Sequence, residues 1–226
     1  MEPKLDYAWL SDPLIEYAFY LSCMLFVVIL TFILIIVKKY YQRQHELHCQ
    51  QTLQNFLDRT LQYKQSKSKQ LEIINSINVI ITKNHLDAIC AWSSILESAE
   101  SIARKNYIEI FLKLNYFKLL SDALNGNNLK AQCLAIQLIG ICKLKEFTPI
   151  LKKFIKTPVL SSYVSIALSR IQGIQSIDIV IKAFEGERIT TSQLLSAFVE
   201  MPKKDLEAWQ IKQRNSSINK LISQYL

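Results

Sequence analysis

The chain is poor in the residues that break helices. It has four glycines and five prolines among 226 residues. No stretch alternates apolar and polar residues for long, so an all-α chain is expected. The breakers that exist act as punctuation. Gly126, Gly173 and Gly186 follow apolar-periodic stretches, as helix-ending glycines do. Pro149, Pro158 and Pro202 sit where helices start or have just ended.

Histidine is scarcer still, at three. A serine or cysteine nucleophile needs a base beside it, and two of the three histidines lie just past an apolar run. No GxSxG, HExxH or glycine-rich phosphate loop occurs. These absences argue against an enzyme, so no catalytic residue and no cofactor is assigned. His45, His48 and Cys49 would share one face of a helix and could converge on a metal. A closed zinc site needs four ligands, and the only other histidine is His85. The three are read as ordinary polar residues, and no metal is assigned.

Cysteine, at five, shows no framework spacing. Cys23 lies in the apolar run, and Cys49, Cys90, Cys133 and Cys142 lie in helical segments. This is cysteine used as a small hydrophobe in a reducing compartment.

What the chain does have is one uninterrupted apolar run. Tyr17 to Val37 holds 21 residues without a charge. As a helix it spans about 31 Å, the thickness of a bilayer's hydrocarbon core. Asp12-Pro13 is a helix-start signal, so residues 13–37 are read as a transmembrane helix. Before it, Lys4 stands against Glu2, Asp6, Asp12 and Glu16. From Lys38 to Lys69 there are seven basic and two acidic residues. Basic residues are retained on the cytoplasmic side. Residues 1–12 are therefore expected outside and the rest in the cytoplasm, at the inner membrane if the chain is bacterial. Tyr7, Trp9, Tyr17 and Tyr20 suit one interface, Tyr40 and Tyr41 the other. A cleaved signal peptide would need a basic start and a shorter apolar core, and this N-terminus is acidic. Ala18 and Ser22 form a small-xxx-small pair. It is read as lipid-facing, with a homodimer as the alternative.

The remaining 189 residues carry 26 basic and 15 acidic side chains, a net of +11. For a tethered domain, an anionic lipid surface is the first partner expected for such charge. Nucleic acid is disfavoured by the tether and by the lack of a zinc-finger or RRM signature. The cluster Lys143, Lys145, Lys152, Lys153 and Lys156, against Glu146 alone, is read as a solvated face, with an acidic-partner or lipid patch as the alternative.

The chain also repeats with a thirty-residue period. Leu120, Leu124, Leu134, Leu138 and Ile141 recur as Ile150, Phe154, Val164, Leu168 and Ile171. They recur again as Val180, Phe184, Leu194, Phe198 and Met201. At half-apolar composition, such a match arises by chance on the order of once in 30,000 trials before register searching. Within a unit, i, i+4, i+7 spacing makes an apolar stripe on each of two helices joined by a short linker. One such pair cannot bury its stripe alone, and stacked pairs can.

The segments 129–140 (LKAQCLAIQLIG) and 160–171 (LSSYVSIALSRI) resemble the second helix of HEAT repeats, in the short, bilin-lyase-type variety. Ala167-Leu168 and Ala197-Phe198 match that family's Ala-Leu step, although its Asp-Pro and Arg positions are mostly absent. The resemblance implies an α-solenoid over residues 70–202, with clear repeats at 116–202. Residues 38–69 read as a juxtamembrane helix and linker, with a break at Ser66–Lys69. Residues 70–115 read as degenerate repeats, in which Ile108 and Phe111 keep register and Arg104 breaks it. Residues 203–226 read as a capping helix. In HEAT-like stacks one face of the second helices lines a concave groove. Here that face carries Gln132, Ile136, Ile139, Ser162, Ile166, Ser169, Ser192, Ser196 and Val199, with Ile136 and Ile166 packing only against neighbouring units as the alternative. The resemblance implies a non-catalytic scaffold that binds a protein partner, such as an integral-membrane enzyme or transport assembly. A solenoid lyase-type enzyme and a nucleic-acid-binding solenoid are the alternatives.

Overall fold

A computed structural model describes residues 13–62, 67–83, 85–212 and 223. Residues 1–12, the expected Asp12 cap and most of the expected capping segment lie outside the described residues. Every regular element among the described residues is helical. Contacts divide the chain into two compact units, up to residue 47 and from residue 48 on.

The first unit consists of the larger part of α1 (Pro13–Gln62). Every residue from Tyr17 to Val37 is exposed. The stretch is long and apolar enough to cross a membrane, by length and composition. Its one threonine is compatible with that setting. Thr31 Oγ1 donates to Val28 O at 2.7 Å, so the hydroxyl is satisfied within the helix. A second stretch, Pro158–Glu185, passes the same test but is more than half buried as core helices of the second unit.

The second unit opens with the end of α1, where Leu53 and Leu57 are buried. Then come α2 (Lys67–Lys83), α3 (His85–Ser98) and α4 (Ser101–Phe111). The break expected at Ser66–Lys69 is corrected in part: α2 already begins at Lys67. Tyr107 ties α4 to the end of α1. It donates to Asp58 Oδ1 at 3.1 Å and accepts from Gln54 Nε2 at 2.9 Å.

Three helix pairs follow. They are α5 (Tyr116–Asn125) with α6 (Leu129–Ile141), α7 (Thr148–Phe154) with α8 (Pro158–Gln172), and α9 (Ile177–Glu185) with α10 (Thr191–Val199). The glycines and prolines stand at helix ends and starts as the punctuation predicts, and two side-chain caps not read from the sequence add to them. Asn128 caps α6 by accepting from Ala131 N, Pro149 and Pro158 open α7 and α8, and Thr190 with Gln193 forms a capping box on α10. Gly126, Gly173 and Gly186 end α5, α8 and α9. Finally α11 (Lys203–Lys212) packs on the turn Gly173–Ser176, with Leu206 buried.

The fifteen thirty-spaced positions account for much of the core. Ten are buried, and Leu134, Ile141, Ile150, Phe154 and Phe184 pack against it half-buried. The second helices pack in the order α3, α6, α8, α10. Before residue 116 the period fails. The helix beside α6 is α3, not α4, although Ile108 and Phe111 hold the register. Arg104, the residue that breaks it, turns back on α3. Its Nη2 donates to Glu97 O at 3.1 Å and Ala99 O at 3.0 Å, satisfying carbonyls at that helix's end.

The tightest contact in the row is between α6 and α8. A Cβ on Gly140 would lie 2.9 Å from Ala167 Cα. Gly140→Val should therefore cost about 2–3 kcal/mol by overpacking. Ile136→Asp, an unpaired charge in a fully buried position, should cost about 4 kcal/mol or more. Thermal unfolding of the full chain in mild detergent, followed by circular dichroism, measures both. An unchanged midpoint for either variant would refute the packing described here.

Candidate functional site

The face named from the sequence is largely not an open groove. Ile136 and Ile139 have no exposed surface, and Ser169 is buried. Gln132 is used structurally: its Nε2 donates to Leu124 O at 3.2 Å and Gly126 O at 2.8 Å, closing the α5–α6 turn. Ser162 and Ile166 are half-buried, and Ser192, Ser196 and Val199 are exposed. Burial of this face falls along the row: α6 packs between α3 and α8, α8 between α6 and α10, and α10 against α8. For α10, the three positions stay open among the described residues.

Burying serines on that face needs partners for the hydroxyls, and α8 supplies them itself. Ser165 Oγ donates to Ser161 O at 2.8 Å, and Ser169 Oγ to Ser165 O at 2.9 Å. Ser161 Oγ lies 2.8 Å from Pro158 O and 2.7 Å from Arg188 O. The stripe is thus small and internally satisfied, and so can pack like an apolar one.

One concavity of this unit lies instead at the ends of these helices. A cleft of about 400 Å³ opens where the C-terminal ends of the row converge. Its floor is Gly140 and Ile141, and Leu96 and Glu97 close one side. Three cations reach it: Arg104, Lys143 and Arg170. A smaller hollow of about 120 Å³ shares Glu97 and Arg170 with it and continues along Gln137, Tyr163, Ile166 and Ala167. Of the nine expected residues, only Ile166 lines either hollow.

The charges of the cleft are not equivalent. Arg170 Nη2 donates to Glu200 Oε1 at 2.6 Å, and both side chains are about 30% exposed. Arg104 is spent on the carbonyls at the end of α3. Lys143 has no carboxylate partner among the described residues, and its backbone is unusual. At φ 54° it occupies the left-handed position just past α6. Its N–H donates to Gly140 O at 3.2 Å, and Leu144 N–H to Ile139 O at 3.0 Å. This is the helix-ending motif normally given to glycine. The expected basic patch is thereby divided. Lys143 joins the cleft, Lys145 sits in the turn Lys145–Phe147, and Lys152, Lys153 and Lys156 are exposed on and just past α7.

No group of three or more His, Cys, Asp or Glu side chains is arranged to hold a metal among the described residues. The thiols are tuned away from nucleophilicity. Burial pushes the Cys142 thiol up to about 12, and Cys133 is raised by the same cause. Cys49 is raised by burial first, then by Asp87 and Cys90. No protein-family model, curated protein or solved structure matches the chain.

Two outcomes follow. Cys142 should resist alkylation at pH 8 in the folded chain and react on denaturation, read by mass spectrometry. Between pH 9.0 and about 12 the unfolded chain sheds this proton and the folded chain keeps it, so Cys142 should lower stability as pH rises through that window. Lys143→Gly should stabilise the fold by about 1 kcal/mol by relieving the left-handed strain, read as a raised midpoint.

Proposed function

We propose that this chain is a membrane-tethered, non-catalytic scaffold. Residues 13–37 form its single span, with residues 1–12 outside and the rest cytoplasmic. Residues 70–202 form a HEAT-like α-solenoid that docks a segment of a membrane-associated protein. The observation that carries the reading is the concavity along the row of second helices, in a unit whose three terminal helix pairs follow one thirty-residue period. Stacked pairs present an extended surface, and extended surfaces suit peptide or helix recognition. The cleft offers an unpaired ammonium (Lys143) and a fixed ion pair (Arg170–Glu200), and the hollow that shares Glu97 and Arg170 with it adds an aromatic (Tyr163) and an aliphatic (Ile166). That is a mixture suited to a protein segment with an acidic residue near its centre. The excess of basic residues just after the span supports the orientation.

The test is cross-linking mass spectrometry on the full-length chain isolated from its own membranes in mild detergent. One recurrent protein should cross-link through Lys143. The double variant Lys143→Glu, Tyr163→Ala should lose it while keeping its helical signal and a cooperative unfolding transition, at a midpoint lowered by the lost packing of Tyr163. Lys182→Glu, on an exposed face of α9, should retain it. Full retention by the folded double variant would remove the cleft as the docking site.

A further inference from the structure

Charge is least balanced in the middle of the second unit. Between Leu129 and Ile177 there are seven basic residues and one acid, Glu146. That acid is engaged, accepting from Tyr116 Oη at 2.8 Å. Lys143 and Arg170 belong to the cleft, and Lys145 sits in the turn after α6. The other four, Lys130, Lys152, Lys153 and Lys156, are all exposed.

The topology brings these four toward one edge. Gly140, near the end of α6, meets Ala167, in the second half of α8, so the two helices run the same way. Helix α7 carries the chain from the end of α6 back to the start of α8. The starts of α6 and α8 and the end of α7 therefore share an edge, opposite the cleft. Lys130 stands in the first turn of α6, and Lys152, Lys153 and Lys156 mark the end of α7 and the turn beyond. Two large apolar side chains stand exposed among them. Leu129 is 45% exposed and Val159 57%, each in the first turn of its helix. Segments 129–135 and 148–163 contain no acid.

We propose that this edge is a bilayer-docking surface that takes anionic lipid headgroups. The ammonium groups of Lys130, Lys152, Lys153 and Lys156 meet phosphate and carboxylate groups, and Leu129 and Val159 enter the headgroup boundary. Ammonium groups ringing exposed aliphatics are the composition that interfacial membrane contacts use. A nucleic-acid surface would call for aromatic platforms, and none of these residues is aromatic. The inference rests on residues 13–37 being a membrane span, which places anionic headgroups at high local concentration.

The experiment uses the full chain in lipid nanodiscs of phosphatidylcholine, alone or with about 30% phosphatidylserine. Lysines are acylated briefly and read by mass spectrometry, with Lys113 and Lys182 as references. Lys152, Lys153 and Lys156 should acylate about threefold more slowly in the anionic discs, and about 0.5 M salt should abolish the difference. The variant K152E/K153E/K156E, altered only at exposed positions, should lose the protection at Lys130. Equal rates in both discs would overturn the proposal while leaving the span intact. Stronger protection by an added acidic peptide or RNA in neutral discs would overturn it in favour of that partner. A chain that is not recovered with the discs at all would overturn the span itself, and the proposal with it.

Discussion

The spacing of the helix row is set where α6 meets α8. Gly140 and Ala167 let two backbones approach more closely than any side chain at 140 would allow. Two features depend on that approach. Ile136, Ile139 and Leu138 are sealed from water, and burying side chains of this size stabilises by about 1.5–3 kcal/mol each. Gly140, held against Ala167, also lines the cleft. The long residues around it, Lys143 and Arg170, then become walls. A larger residue at 140 would push the helices apart.

A chain with so few glycines still has to end its helices. Gly173 takes φ 54° at the end of α8, where glycine is the economical choice. The ends of α6 and α9 instead put Lys143 and Glu187 at positive φ, also 54°, at about 1 kcal/mol each. After α9, Gly186 stands one residue before the strained position, so a glycine was available to the segment and does not relieve it. Both ends are held by the same pair of backbone hydrogen bonds, with Arg188 N–H donating to Ala183 O in the second case. Lys143 gains something for its strain: its ammonium is brought to the mouth of the cleft.

The fold was legible where a physical period exists. Leu134, Leu138 and Ile141 must share a helix face, and the same spacing thirty residues on again meets the core: Val164, Leu168 and Ile171 are buried, as Leu138 is, while Leu134 and Ile141 are half-buried against it. The cleft was less legible. Periodicity says which residues face the core, but not which neighbouring helix covers a flank. Ile136 and Ile139 read as groove residues, with packing against a neighbouring unit as the alternative for Ile136, because one sequence does not decide burial; both are fully buried. Gln137, Gly140 and Tyr163 were missed for the same reason, although a glycine inside a helix is itself a sign of close approach. Before residue 116 the register was misleading. Ile108 and Phe111 keep the spacing, yet α3 occupies the place beside α6. Arg104 was the available clue, a charge at a core position that had to be doing something other than packing.

The two edges of the helix row differ in chemistry in a way composition alone conceals. The excess of +11 reads as one property, but the structure sorts it. At the C-terminal edge the cations have specific work: Arg104 satisfies carbonyls of α3, and Arg170 is paired with Glu200. Such fixed, mixed charges discriminate between partners by geometry, since a ligand must fit around an ion pair already made. At the opposite edge the lysines have long stems and no acid in their own segments. Flexible ammonium groups of that kind adapt to many headgroups and specify none. On the proposed reading, docking a protein segment and adhering to a lipid surface call for these opposite arrangements, and α7 separates them by carrying the chain from one edge to the other.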